Sequence, residues 1–179
     1  MKKASLGLTL VELLVVFVIS AILVGLAAPG FKAAMARWSA SSALDLFMSD
    51  LRYARAEAVK RGHSVTICRS GGTAGCVAAD GDWQAGWLVF DDRDANGVMG
   101  ANEAALRVQG ALPGIQQILA LTGATNTKGP YTFSPLGVTA GMAGNLVITA
   151  SPSVVGGTRL VCISNLGRAS QRDVGDTGC

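Results

Sequence analysis

Residues 7–16 read GLTLVELLVV, and they open an apolar run in which Leu13 to Phe31 contains no charged residue. At about 1.5 Å of rise per helical residue, this run is long enough to cross a bilayer core of about 30 Å. Glu12 stands at the start of the run, and a buried carboxylate in a membrane segment is costly unless it is paired. The stretch therefore predicts a membrane helix in which Glu12 has a functional partner.

The same stretch carries a processing signal. A plain secretory signal peptide would end in a small-residue cleavage site, and the proline in residues 27–29 (Ala-Ala-Pro) makes that site a poor one. The stretch resembles the class III signal of type IV prepilins and type II secretion pseudopilins. The resemblance implies that a prepilin peptidase cleaves after Gly7 and methylates the new amino terminus, Leu8. It also implies that Glu12, the fifth residue of the mature chain, pairs with the amino terminus of a neighbouring subunit.

The helical pattern continues beyond the membrane segment and becomes amphipathic from Lys32 to Arg61. Pro29, with Gly25 and Gly30, predicts a kink or local melting where the chain leaves the bilayer. Gly62 suits the C-cap of the helix. Five apolar residues recur at helical spacing and predict the face on which a sheet packs: Leu44, Phe47, Leu51, Ala54 and Ala58.

After Gly62 the chain changes to short β-rich runs separated by glycine and proline. Seven strands are predicted, at residues 64–69, 87–91, 104–109, 116–121, 131–134, 146–149 and 159–164. We expect an α+β fold, with a long N-terminal helix packed against an antiparallel, β-sandwich-like head. The predicted segments are a leader peptide (1–7), a transmembrane or filament-core helix (8–31), an amphipathic helix (32–62) and a β-rich globular head (63–179).

Further motifs narrow the resemblance to the GspH/FimT-like minor pilins and pseudopilins. They are residues 51–62 (LRYARAEAVKRG), 65–68 (VTIC), 86–91 (GWLVFD), 131–137 (YTFSPLG) and 159–168 (RLVCISNLGR). The resemblance covers nearly the whole chain. It implies a pilin-like fold, a place in a filament or at its tip, and no enzymatic activity.

The four cysteines, Cys68, Cys76, Cys162 and Cys179, lack the spacing of a zinc site. An even number of cysteines in a membrane-targeted chain predicts two disulfides in an oxidising compartment. Three connectivities are open, and the sequence-local pairs Cys68–Cys76 and Cys162–Cys179 are favoured.

Residues 92–103 (DRDANGVMGANE) match the calcium-loop pattern D-x-[DN]-x-[DN]-G-x5-E at every defined position. The ligands would be the side chains of Asp92, Asp94, Asn96 and Glu103 and the carbonyl of Val98. The alternative is a hairpin turn, because Asn96-Gly97 is a strong turn dipeptide and the flanking segments are predicted strands instead of helices. We favour the turn.

Composition gives no case for nucleic acid binding or for catalysis. Half of the residues are hydrophobic and 15% are charged, which excludes a disordered chain. Without Lys2 and Lys3 of the leader, the chain has 13 basic and 12 acidic residues, so its net charge is close to zero.

His63 follows the predicted helix end, where we expect a capping or surface role, and no catalytic motif is present. Trp38, Trp83 and Trp87 are expected to serve packing or an interface.

The C-terminal tail, residues 167–179, is a candidate DNA contact. Some FimT-like pilins bind DNA through a Gly-Arg-x-Arg element in this tail, and here Gly167 and Arg168 match while Ser170 replaces the second arginine. Arg168 and Arg172 could still contact phosphates. Asp173 offsets this charge, so we favour a solvated loop that caps the head.

The sequence therefore predicts a minor pilin of the type IV pilus, acting in pilus biogenesis, adhesion or motility. The precursor is expected to cross the inner membrane once with its head in the periplasm, and then to enter the pilus. The implied partners are other minor and major pilins, the prepilin peptidase and the inner-membrane assembly platform. The alternatives are a GspH-type pseudopilin of type II protein secretion and a DNA-binding minor pilin acting in natural transformation. No cofactor is expected apart from the calcium alternative.

Overall fold

The computed structural model describes residues 9–71, 75–77, 81–122, 125–126, 129–139 and 144–172. Within these ranges the chain forms one long helix followed by nine strands. The helix is α1 (Leu10–Arg61), and the strands are β1 (Val65–Arg69), β2 (Gly86–Asp91), β3 (Ala105–Gly110), β4 (Ile115–Thr122), β5 (Thr125–Asn126), β6 (Tyr131–Phe133), β7 (Gly144–Ala150), β8 (Thr158–Ile163) and β9 (Ala169–Arg172).

Helix α1 is capped by Thr9 at its amino end and by Gly62 at its carboxyl end. The hydroxyl of Thr9 accepts a hydrogen bond from the backbone N–H of Glu12 at 3.3 Å. Gly62 adopts a left-handed conformation, with φ of 73°, and donates its N–H to the carbonyl of Ala58. The helix continues through Pro29 without a break, so the local melting that we expected there is absent. A proline removes one backbone hydrogen bond, and here the helix tolerates that loss.

The two halves of α1 have different environments. From Leu10 to Ala28 every side chain is exposed, and this half is long and apolar enough to cross a membrane. The second half packs against the head. The five apolar residues predicted to face the sheet, Leu44, Phe47, Leu51, Ala54 and Ala58, are each at most 3% exposed. The predicted packing face is therefore confirmed.

The strands form two antiparallel sheets. One has the order β3-β2-β1-β6 and the other has the order β5-β4-β7-β8-β9. The main core joins α1 to both sheets, with Phe47 from the helix, Val89 from the first sheet and Ile148 from the second in one buried cluster. The expected α+β architecture, with a long N-terminal helix packed against antiparallel sheets, is confirmed.

All seven predicted strands are present, with bounds shifted by at most two residues. Strands β5 and β9 were not predicted. Strand β9 lies in the tail that we expected to be a loop, and it pairs with β8 through Cys162 opposite Ser170 and Leu160 opposite Arg172. The expectation of a loop was wrong for residues 169–172, because backbone pairing at the free edge of β8 forms a strand without an apolar pattern.

Candidate functional surfaces

The predicted processing and assembly site lies at the start of α1. Gly7 and Leu8 fall outside the described residues, so cleavage and methylation stay predictions. Glu12 lies in the first turn of α1 and its side chain is exposed. Within the described part of the chain, the Glu12 carboxylate forms no ion pair. A partner for this carboxylate would therefore have to come from the chain's own amino terminus or from another molecule.

The acidic turn between β2 and β3 brings three predicted calcium ligands together. Carboxylate oxygens of Asp92, Asp94 and Glu103 all lie within 4.8 Å of one another. Calcium binds oxygen ligands at 2.3–2.6 Å, so two oxygens on opposite sides of one calcium ion are about 4.6–5.2 Å apart. The three carboxylates thus fit a single cation.

Hydrogen bonds within the chain also support this turn. Asp92 is fully buried and accepts hydrogen bonds from the Thr66 hydroxyl at 2.5 Å and from the N–H of Gly97 at 3.0 Å. Burial raises the pKa of Asp92, and the bonds from Thr66 and Gly97 oppose that rise. Glu103 accepts from the N–H groups of Arg93 at 3.0 Å and Gly100 at 2.8 Å. The turn can therefore hold its shape through protein contacts alone.

Asn96, a fourth predicted ligand, is placed less favourably. The amide oxygen of Asn96 accepts a hydrogen bond from the N–H of Val98 at 2.6 Å, and the Asn96 amide nitrogen donates to Asp94 at 2.7 Å. Asn96 would have to rotate to offer its oxygen to a cation. The segments that flank the turn are strands, as the turn interpretation requires.

A disulfide joins Cys68 on β1 to Cys76, the pairing that their sequence separation favoured. The two Cα atoms are 5.6 Å apart, an ordinary distance for a disulfide. Cys162 is also disulfide-bonded. Cys179 lies outside the described residues, so the second predicted pairing stays a prediction.

The structure brings Arg168 next to basic residues of α1 that the sequence analysis did not connect with it. We call this the basic groove: a cavity of about 690 Å³ whose lining includes Arg52, Arg55 and Lys60 from α1 and Arg168 from the turn before β9. The guanidinium of Arg55 donates to the carbonyl of Gly167 at 3.4 Å. No acidic residue is among the described residues that line this groove.

A second hollow continues the basic groove along the edge strand β9. It shares Arg168 with the groove and ends at Arg172, which is exposed. The three-residue spacing of Arg52 and Arg55 places them on one face of α1, with Lys60 about two turns beyond Arg52, and this is the signal that sequence reasoning could have used. What it could not show is that the turn carrying Arg168 packs against that face.

A buried charge ties α1 to the first sheet. Asp50 is 4% exposed and accepts hydrogen bonds from the indole N–H of Trp87 at 2.8 Å and from Arg107 at 2.8 Å. The guanidinium of Arg107 lies 3.9 Å from the centre of the Tyr53 ring. These contacts join the helix to β2 and β3, and the sequence analysis did not find them. Both carboxylate oxygens of Asp50 accept a hydrogen bond, so we assign Asp50 a structural role.

His63 has the surface role that was expected of it. Its Nδ1 atom lies 2.9 Å from a carboxylate oxygen of Asp91, and the side chain is about a third exposed. Arg61 and Arg93 approach the other Asp91 oxygen at 3.5 Å and 3.3 Å. The histidine thus belongs to an ion-pair cluster at the end of β2.

Similarity to known proteins agrees with this architecture. Residues 43–167 match the family of the type II transport protein GspH, and residues 2–28 match the prokaryotic N-terminal methylation motif. A comparison with curated protein sequences gives no significant match.

The comparison with solved structures includes two pilin-like proteins. The type IV minor pilin FimU of Pseudomonas aeruginosa is 22% identical with a TM-score of 0.55, and the match covers 76% of this chain and 90% of FimU. The minor pseudopilin EpsH of the type 2 secretion system of Vibrio cholerae is 12% identical with a TM-score of 0.49, over 77% of this chain and 99% of EpsH. The family match over more than two thirds of the chain, joined to the methylation motif, shows that the chain belongs to the GspH family of GspH/FimT-like type IV minor pilins and pseudopilins.

Proposed function

We propose that the chain is a minor pilin assembled into, or at the tip of, a type IV pilus. The observation that carries this proposal is the fully exposed, apolar first half of α1, which continues without a break into a folded head. An apolar helix needs lipid or other helices around it. Residues 8–28 would anchor the precursor in the inner membrane with the head in the periplasm, and would later pack in the filament core.

The choice of a pilus over a secretion pseudopilus has separate support. The solved structure of FimU, with a TM-score above 0.5, is that of a type IV minor pilin. The Cys68–Cys76 disulfide, the predicted Cys162–Cys179 pair and the Gly167-Arg168 turn also favour the pilus. A GspH-type pseudopilin of type II secretion is the alternative, and the description of the matched family names type II transport.

Fractionation in the bacterium that encodes the chain distinguishes the two. Pili are sheared from cells and probed for the mature chain, while a strain lacking the chain is tested for piliation and for secreted proteins. We expect the chain in the pilus fraction, a loss of piliation and unchanged secretion. Normal piliation together with a loss of protein secretion would instead identify a type II pseudopilin.

Direct DNA capture is a second candidate, and the basic groove favours it. Four cations from two parts of the chain, Arg52, Arg55, Lys60 and Arg168, surround one cavity, and Arg172 extends the surface. Glu57 lies on the same part of α1, but its negative charge is balanced by ion pairs with Arg61 and Lys60. Clustered arginines bind phosphates through charge-assisted hydrogen bonds, and the affinity for DNA falls as salt rises.

A gel shift of duplex DNA with the mature chain in detergent tests this candidate. We expect binding at low salt that weakens in the Arg168→Ala and Arg52→Ala variants. Lys32→Ala removes one charge far from the groove and should bind as the wild type does. Absence of any shift at low salt would exclude DNA capture by this surface.

Calcium binding by the acidic turn remains a proposal, supported by the clustered oxygens of Asp92, Asp94 and Glu103. A bound ion stabilises the folded state by mass action. If the turn binds calcium, millimolar calcium raises the midpoint of thermal unfolding, and Glu103→Gln removes this rise. Asp45→Asn, at an exposed position on α1, should keep it. Identical unfolding in calcium and in chelator would show that the turn needs no ion.

A further inference from the structure

We propose that the underside of the head binds anionic phospholipid headgroups of the membrane in which α1 is inserted. The inference rests on the membrane insertion proposed above. It concerns a surface that we call the underside groove, a cavity of about 570 Å³ between α1 and two loops of the head. Its apolar lining includes Phe31, Met35, Trp38, Leu112, Pro113 and Pro152.

This groove lies where the helix enters the head. The first tight contact of α1 with the head is a small buried cluster of Ala36, Ala40 and Ala150. Next to Ala36 in the chain, the guanidinium of Arg37 donates to the carbonyl of Val155 at 3.0 Å. The loops after β3 and after β7 therefore meet α1 just beyond the apolar run that ends at Phe31.

The side chain of Trp38, rather than its backbone, reaches the headgroup layer. Trp38 follows Phe31 by seven residues, which is about 10 Å along a helix. The polar layer on each side of a bilayer core is about 5–8 Å thick. Helical side chains lean toward the amino end of the helix, which brings the Trp38 ring back toward the bilayer. When the run from Leu13 to Phe31 spans the core, the groove faces the headgroups.

The chemistry of the groove and its rim fits a lipid headgroup. Trp38 is 66% exposed and Phe31 is 68% exposed, although both are large and hydrophobic. Tryptophan is enriched at membrane interfaces, because its ring is apolar and its N–H remains hydrated. Lys32 is the charged residue among the described residues that line the groove, and none of those residues is acidic. This combination is complementary to an anionic lipid surface.

Tryptophan fluorescence isolates the residue in question. Trp83 and Trp87 are at most 1% exposed, so Trp38 is the tryptophan that a quencher outside the protein can reach. The mature chain is placed in phosphatidylcholine vesicles, with or without equimolar phosphatidylglycerol, that contain a lipid carrying a spin label on its headgroup. We expect quenching of the Trp38 emission, stronger with phosphatidylglycerol and absent in Trp38→Phe.

Two further variants keep Trp38 and change the charge of the surface around it. Lys32→Gln removes the cation that lines the groove and should reduce the extra quenching in anionic vesicles. Pro113→Asp places a carboxylate at an exposed position that lines the groove, and should also reduce the quenching. Unchanged quenching in both variants would overturn the proposal.

Vesicle flotation separates this inference from the proposed function. A chain that floats with the vesicles while Trp38 stays unquenched would overturn headgroup binding and leave membrane insertion standing. A chain that does not float would contradict the proposed function itself. Quenching that falls as the protein-to-lipid ratio rises would place Trp38 against a second copy of the chain, which also overturns the proposal.

Discussion

Asp50 is the buried charge on which the contact between α1 and the first sheet depends. Replacing it by alanine leaves the buried indole N–H of Trp87 without an acceptor and removes the ion pair of Arg107. Because the Arg107 side chain is 45% exposed and can be hydrated, we expect a loss of about 2–3 kcal/mol in the free energy of unfolding.

Urea unfolding of the mature chain in detergent, followed by tryptophan fluorescence, measures this loss. Asp50→Asn keeps an acceptor for Trp87 and should cost less than Asp50→Ala. Asp45→Ala, at an exposed position on the same helix, should change the stability by less than about 0.5 kcal/mol. Equal stability of Asp50→Ala and Asp45→Ala would contradict the assigned role.

Glu57 gives the fold a dependence on acid. Its hydrogen bonds from Arg61 at 2.6 Å and Lys60 at 3.1 Å lower the pKa of its carboxyl group. Asp91 on β2 also faces Arg61, and His63 pairs with Asp91. A lowered carboxyl pKa gives stability that is complete above the unfolded-state value of about 4.3 and is lost as the pH falls through the lower folded-state value.

Glu57→Gln should therefore remove part of the loss of stability below about pH 4.3. The check is a series of urea unfolding curves from neutral to acidic pH, with the wild type beside the variant. A variant whose stability falls as steeply as that of the wild type would show that Glu57 does not contribute to the acid dependence.

The packing role of some residues was predictable from local sequence periodicity, and that of others was not. The buried face of α1 was predictable because Leu44, Phe47 and Leu51 repeat at helical spacing. The partners of Asp50 lie 37 and 57 residues away in sequence, so local periodicity carries no information about them. For the same reason the sequence did not show that Arg52 lies beside the turn that carries Arg168.

At the scale of the elements, the pairing of β2 with β3 depends on one glycine. Gly86 has φ of 117°, and a Cβ atom there would collide with the backbone carbonyl of Gln109. Gly110 is its partner across the strands, and a Cβ atom there meets open space. The two glycines are neighbours in the sheet, yet only Gly86 requires the absence of a side chain.

Gly86→Ala should therefore cost about 3 kcal/mol or more, since it combines backbone strain with a clash. Gly110→Ala, the matched control, should change the stability by less than about 1 kcal/mol. Urea unfolding of both variants checks the difference. Similar stabilities of the two would show that the sheet shifts to accommodate the new methyl group.

Strands were predictable where side chains mark them. Strand β7 alternates buried and partly buried residues from Gly144 to Ala150. Strand β2 is buried throughout, and its residues are apolar between the terminal Gly86 and Asp91. Strand β9 contains Ala, Ser, Gln and Arg, which give neither signal, and it forms because β8 offers an unpaired edge. The acidic turn was recognisable from residues 92–103, but the motif does not decide between a self-supported turn and a cation site.

At the scale of the whole molecule, one helix serves two environments. Its second half is covered by the head, and its first half is exposed along its whole circumference from Leu10 to Ala28. The exposed Glu12 lies in that first half, where the described chain offers no ion-pair partner. A bundle of neighbouring subunits supplies both apolar cover and a cationic amino terminus, which is why we infer that filament assembly depends on Glu12.

The most direct test of this account measures the amount of Glu12→Ala chain in sheared filaments, relative to the wild type and to Asp45→Ala. The membrane fraction of the same cells shows whether the leader has been removed. We predict normal removal of the leader in all three chains, and a loss of Glu12→Ala alone from the filaments. Processed Glu12→Ala present in filaments at the wild-type level would contradict the account.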